Sequence, residues 1–162
     1  MIDHDGPVPM TGEGHQTLLN ELQRLKSVER PKNVRDIEEA RAHGDLSENA
    51  EYHAAKDRQS LLDVQIRETE DRLARAQVID VSKLSGEKIV FGATVKLVDE
   101  DTDETVVYKI VGDHEAEPKA GKISVSSPVA RSLIGRRVGD EVEVRTPAGV
   151  RNFEVLELDF IA

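Results

Sequence analysis

The sequence predicts an α+β protein in two parts: an antiparallel helical hairpin, a coiled coil, followed by a mostly antiparallel sheet with one short helix. Three observations carry this. Between about Thr11 and Ala76 the apolar residues recur in steps of three and four. After Ala76 the period changes and β-branched runs take over. In the middle of the helical stretch a Gly44-Asp45 break supplies the place where two arms can fold back on each other.

Residues 1–10 read as a flexible N-terminus. Acids and prolines (Asp3, Asp5, Pro7, Pro9) stand where a signal peptide needs a basic end and an apolar core. Residues 11–77 form the hairpin domain. Its second arm shows the clearer seam: Tyr52, Ala55, Gln59, Leu62, Ile66, Thr69, Leu73 and Ala76 alternate steps of three and four. In the first arm Leu18, Leu22 and Leu25 keep that step. Pro31 then intervenes, and Val34, Ile37 and Arg41 resume in a shifted phase, so a kink or short break is expected at the proline. Folded about Gly44-Asp45, Leu25 lies near Ile66, Leu22 near Thr69 and Leu18 near Leu73. An arm of about 30 residues is roughly 45 Å long. A dimerising coiled coil is the alternative; Gly44 and the symmetry of the seam favour folding within one chain, as a monomer.

Residues 78–85 read as a linker with a first short extended run, Val78–Val81, and residues 86–162 as the second domain. Ala93–Val98 and Thr105–Val111 are strand-like and flank the polar cluster Asp99–Glu104. That cluster lacks the glycine of a calcium loop and reads as a solvated turn. Lys122–Val125 is a further strand. Ser127-Pro128 is an N-cap followed by proline at the first helical position, and the helix from Val129 to Ile134 ends at Gly135. Glu141–Thr146, a Pro147-Ala148-Gly149 turn and Val150–Leu158 complete a hairpin.

The chain has 162 residues, no cysteine and no apolar run long enough to cross a bilayer, which excludes disulfides and thiolate metal sites and leaves a cytoplasmic protein as the expectation. A net charge of -10 argues against a stand-alone duplex binder, and an aromatic content of 3% argues against base stacking. There is no Gly-rich phosphate loop, no Ser-His-Asp arrangement and no zinc signature, hence no self-sufficient active site.

The chemistry concentrates at the hairpin tip. Asp45 and Glu48 have the spacing of a capping box with an acid at the cap, and the helix dipole favours both. Ser47 is itself a good cap, however, and would leave the Asp45 carboxylate outside the helix, with Glu48 and Glu51 on one face of the first turn. Two acids at an exposed tip make no tight Mg²⁺ site alone, but they can complete one built partly by another protein, or orient a water. Arg41, Lys56 and Arg58 flank the tip, either as solvated charge paired with Glu38, Glu39 or Asp57, or as phosphate contacts. His43 and His53 are not at metal-ligand spacing and read as surface or packing residues.

The run His43-Gly44-Asp45-Leu46-Ser47-Glu48-Asn49-Ala50-Glu51-Tyr52 strongly resembles the tip motif of the Gre transcript cleavage factors, the GreA/GreB family. Phe91–Val95, Ile110–Asp113 and Ser124–Gly135 resemble the same family's C-terminal domain, and the likeness runs from about Pro9 to Phe160. The resemblance implies a C-terminal domain similar to FKBP folds and a hairpin that enters the secondary channel of bacterial RNA polymerase. There Asp45 and Glu48 would help hold the second catalytic Mg²⁺ and a water, so that the polymerase hydrolyses its own backtracked RNA. The chain itself would be an accessory factor with no cofactor of its own. Arg41 and Lys56 match basic positions facing the displaced RNA. Ser126, Ser127 and Pro128 match the part that docks on the channel rim, with Ser126 at a position commonly Asn or Asp. A channel-binding inhibitor without cleavage, and an FKBP-like isomerase or chaperone, are the alternatives. The presence of both tip acids opposes the first, and the lack of a rich aromatic pocket opposes the second.

Overall fold

A computed structural model of the chain describes residues 6–45 and 49–162, in two compact units. Residues 15–76 make one; residues 7–14 join residues 77–162 in the other. The boundaries expected from sequence therefore move. Residues 7–14, assigned above partly to a flexible N-terminus and partly to the hairpin, group with the sheet. Strand β1 (Val8–Thr11) carries a fully buried Met10 and pairs with β2 (Ala76–Ile79).

The hairpin unit is made of α1 (Gly12–Arg24, which begins in the sheet unit's segment), a π-helical turn (Leu25–Glu29), α2 (Arg30–Ala42) and α3 (Ala50–Ala74). Leu25, Leu62 and Ile66 form its buried centre, with Leu22 packed against them. The seam of α3 matches its sequence pattern, with Ala55, Leu62, Ile66 and Thr69 buried. The first arm departs from it. Pro31 does not break the helix; the π-turn just ahead of it widens the coil, and the Arg30 N–H reaches back to the Leu25 carbonyl. A proline ring clashes with the carbonyl four residues earlier and offers no N–H, so a wider turn is the relaxed way through. One extra residue enters the repeat. The buried positions after Leu25 are thus Asn33, Ile37 and Ala40, whereas Val34 and Arg41, expected on the seam, are exposed.

Asn33 is 3% exposed and donates its Nδ2–H to the Ala55 carbonyl on α3 at 2.9 Å. A buried amide in a mostly apolar seam satisfies itself in one alignment of the arms, which fixes register at some expense of stability. Charge pairs across the arms reinforce that alignment from outside, Lys26–Glu70 at 2.7 Å and Glu29–Arg58 at 3.1 Å, and Arg24 of the same arm also holds Glu29 at 2.8 Å.

In the second unit a five-stranded sheet runs in the order β5-β4-β3-β7-β6, with β3 (Thr94–Asp99), β4 (Thr105–Val111), β5 (Lys122–Ser124), β6 (Glu141–Thr146) and β7 (Gly149–Asp159). All neighbours are antiparallel except β4 and β5, which pair in parallel with Ile110 opposite Ile123. Alternation puts Val95 and Leu97 of β3, Val142 and Val144 of β6, and Phe153 and Val155 of β7 into one core, against Ala130 and Leu133 of the short helix α4 (Pro128–Leu133).

The Asp99–Glu104 cluster is not simply a solvated turn. Asp99 is buried, with one carboxylate oxygen accepting the Asp101 and Thr102 N–H groups and the other facing Arg151, whose guanidinium lies 4.8 Å over the Phe153 ring. The Asp101 N–H first and the Arg151 side chain second hold the Asp99 carboxyl below its ordinary value. Glu115 anchors the N-terminal strand: its carboxylate accepts from the Thr11 N–H, the Thr11 hydroxyl and the Gly112 N–H. Thr11 in turn caps α1, its Oγ1 accepting from the Gly14 N–H at 3.1 Å. Gly112 has no room for a side chain, since a Cβ there would lie 2.6 Å from the Pro9 carbonyl.

Candidate functional site: the hairpin tip

The first arm ends in a tightened turn. The His43 N–H bonds to the Ala40 carbonyl and the Gly44 N–H to that of Arg41, both at 3.2 Å. Gly44 follows with φ of 103°, a conformation that side-chain-bearing residues rarely adopt. Asp45 comes next and is exposed. Ser47 and Glu48 lie outside the described residues.

Asp45 is not the cap of α3 that the spacing suggested. Asn49 caps α3, its side-chain oxygen accepting from the Tyr52 N–H at 3.0 Å. The same side chain donates through Nδ2 to the carbonyl of Ala40 in the last turn of α2. One amide therefore serves both helix ends. Sequence reasoning passed over it although the signal was present: Asn ranks with Asp and Ser as a cap and immediately precedes the unbroken run Ala50–Ala74.

Around the tip the arms meet through aromatic and polar contacts. The Arg41 guanidinium lies 5.9 Å from the centroid of the Tyr52 ring, within cation–π range. Tyr52 makes an edge contact with His53 at 5.7 Å, and His43 Nε2 approaches Glu51 at 3.8 Å. The pairings expected for the flanking cations are replaced. Arg58 pairs with Glu29, and Lys56 donates to Gln59 Oε1 at 2.8 Å. Arg41 and Lys56 thus lie on opposite arms, in α2 and α3, with Asp45 beyond the end of α2. Beside them, a cleft between the arms is lined by Asn33, Asp36, Glu39, His43, Glu51 and Arg58, among others.

The second group of candidates sits at the start of α4. Ser127 caps it as expected, accepting from the Ala130 N–H at 3.2 Å, with Pro128 in the first turn. The Ser126 hydroxyl donates to Asp113 Oδ1 at 2.7 Å, and the Ser124 hydroxyl donates to the same oxygen. Hydrogen bonds from Ser124 first, then from Ser126, hold the Asp113 carboxyl below its usual range. This corner therefore carries an exposed, fixed carboxylate that the sequence did not single out. A cleft alongside is lined by Ser126, Pro128, Arg131, Ser132, Glu143 and Arg145.

Among the described residues no group of three or more acids and histidines is placed to hold a metal ion, and no helix is long and apolar enough to cross a membrane. The two family models that match are described as transcription elongation factor, N-terminal, over residues 8–78, and as transcription elongation factor, GreA/GreB, C-terminal, over residues 84–160. Among curated proteins, transcription elongation factor GreA of Phenylobacterium zucineum is 61% identical over 154 residues, 95% of this chain and 98% of that one. GreA of Caulobacter vibrioides matches with the same figures, and GreA of Hyphomonas neptunium is 60% identical over 93% of this chain and 96% of its own. Among solved structures, GreA factor homolog 1 of Thermus thermophilus is 30% identical with a TM-score of 0.43, covering 94% of this chain and 99% of that one. The GreA/GreB factor of Nitrosomonas europaea is 21% identical with a TM-score of 0.42 over 94% and 99%.

Proposed function

The chain belongs to the GreA/GreB family of transcription elongation factors, and from that membership we propose that it is an accessory factor of bacterial RNA polymerase that stimulates hydrolysis of backtracked RNA. It acts as a cytoplasmic monomer. The hairpin enters the secondary channel and brings Asp45 and Glu48 to the polymerase active site, while Ser126, Ser127, Pro128 and the carboxylate of Asp113 face the channel rim.

The observation that carries this reading is the tip itself: a long two-helix arm ends in an exposed Asp45, and helix capping there is the work of Asn49. An acid not required for the cap is suited to another task. Asp45 is exposed at the tip, and among the described residues no group of three or more acids and histidines is placed to hold a metal ion, which fits a divalent cation shared with a partner. Asp45 and Glu48 would hold that Mg²⁺ jointly with polymerase carboxylates. When bound, it supplies Lewis-acid activation of the attacking water and charge neutralisation at the phosphate. The residues of this chain orient and position. The tip acids accept hydrogen bonds from water, Arg41 and Lys56 offer cations to RNA phosphates, and Arg41 is steadied by the Tyr52 ring. The chain's net charge of -10 favours salt-sensitive docking on a basic channel mouth.

The test is transcript cleavage in stalled elongation complexes. Asp45→Ala and Glu48→Ala should each abolish stimulation while binding to polymerase survives. Full cleavage by the double variant would remove the cation-holding role. A wild-type protein that occupies the channel yet stimulates nothing would make it an inhibitor instead.

A further inference from the structure

We propose that Asn49 is a positioning residue of the tip: by tying the end of α2 to the start of α3 it fixes the presentation of Asp45. The inference rests on the reading of Asp45 given above and adds to it a residue that touches neither cation nor RNA.

Two different duties converge on this side chain. Its oxygen accepts from the Tyr52 N–H, which is ordinary N-capping. Its Nδ2 donates to the Ala40 carbonyl on the other arm. Ala40 is buried, so its carbonyl has little recourse to water, and its backbone bond from the His43 N–H is a long one at 3.2 Å. The first duty is open to several residues: Asp and Ser cap as well as Asn. The second is not. An ionised Asp has no donor, and a Ser hydroxyl is an atom shorter. Among short side chains, only Asn presents a donor and an acceptor on one rigid plane, pointing opposite ways, toward a helix C-terminus on one side and a helix N-terminus on the other. The bond to Ala40 also closes the chain on itself just before the Gly44 turn that leads into Asp45. If that bond is lost, Asp45 hangs from an arm end that frays.

The experiment uses full-length Asn49→Ser, Asn49→Asp and Asn49→Ala, with Asp45→Ala in the same series. In the free protein, amide hydrogen exchange at His43 and Gly44 should quicken about five- to tenfold in the Ser and Asp variants, the loss of one ordinary hydrogen bond, while the Tyr52 amide keeps its protection. The Ala variant should expose both arm ends. Circular dichroism separates these effects from a loss of helix. In stalled elongation complexes the Ser and Asp variants should lower the cleavage rate at saturating factor by threefold or more with an unchanged half-saturating concentration. Parental exchange at His43 and Gly44 in the Ser variant would overturn the inference, because a cap alone would then describe Asn49. So would parental cleavage at saturation, or a loss confined to half-saturation. Should Asp45→Ala cleave like the parent, the underlying reading of the tip fails; should it be inactive while Asn49→Ser is fully active, only the positioning role fails.

Discussion

Replacing Glu115 should be among the most damaging single changes in the sheet unit, although the residue is only half-buried. Its carboxylate satisfies the Thr11 N–H at 3.0 Å, the Gly112 N–H at 2.9 Å and the Thr11 hydroxyl. Thr11 is 4% exposed and Gly112 is buried, so neither backbone donor has water to fall back on. A buried donor left without a partner costs about 1–3 kcal/mol, and at the lower end three of them come to about 3 kcal/mol for Glu115→Ala. Gln keeps one acceptor oxygen but turns an amide toward a donor, so about half that loss is expected of Glu115→Gln. A kilocalorie shifts the melting of a unit this size by about 4–8 °C, which places the Ala variant about 12–24 °C below the parent. The chain has two tyrosines and no tryptophan, so in a Tyr52→Phe background the fluorescence of Tyr108, packed on the sheet core, reports that unit alone. An Ala variant melting within about 3 °C of the parent would refute the reasoning. Fast exchange of the Thr11 amide with unchanged melting would show that β1 lifts off by itself and leaves the five-stranded sheet unaffected.

Three further outcomes are expected. Arg41→Glu or Lys56→Glu should reduce cleavage of RNA displaced by several nucleotides more than of short backtracks, with the difference shrinking at high salt; equal loss on both would mean that these cations position the arm. Ser127→Ala should remove about 1 kcal/mol of local stability, and combined with Pro128→Ala it should weaken polymerase binding with the fold intact; unchanged affinity would move the rim contact elsewhere. Asp99 and Asp113 are held below the usual carboxylate range, so the stability they contribute is present above that range and lost as pH falls through their lowered values. Thermal melting of Asp99→Asn against pH should therefore lose part of the parent's acid slope, and an unchanged slope would contradict the assignment.

Much of this protein is legible from sequence because its local signals agree with its tertiary structure. The seam of α3, the β-branched alternation of β3 and β6, and the Ser127-Pro128 cap are each dictated within a few residues, and each stands where the pattern puts it. The departures come from interactions that a local pattern does not contain. Asn33 is polar and one position out of phase, so it is invisible until the π-turn is known. β1 is a strand only because β2 lies beside it and Glu115, about a hundred residues on, receives Thr11. Asp99 looks solvated among four acidic neighbours and is buried because Arg151 arrives from β7. The tip acids were legible as a cluster, but Asn49's hold on both helix ends required the second arm end to be in view.

The π-turn at Leu25–Glu29 separates two properties that a plain helix keeps together. A single added residue lengthens a helix by only 1.5 Å but swings everything beyond it through about 100° of azimuth. The distal part of the first arm owes its bearing to that swing, and with it Arg41 owes its place over Tyr52. Removing one residue anywhere between Leu25 and Asn33 would leave the reach of the arm almost untouched while pointing its last cation away from the ring. Reach changes by whole turns and heading by single residues, so the two can drift independently as the sequence diverges.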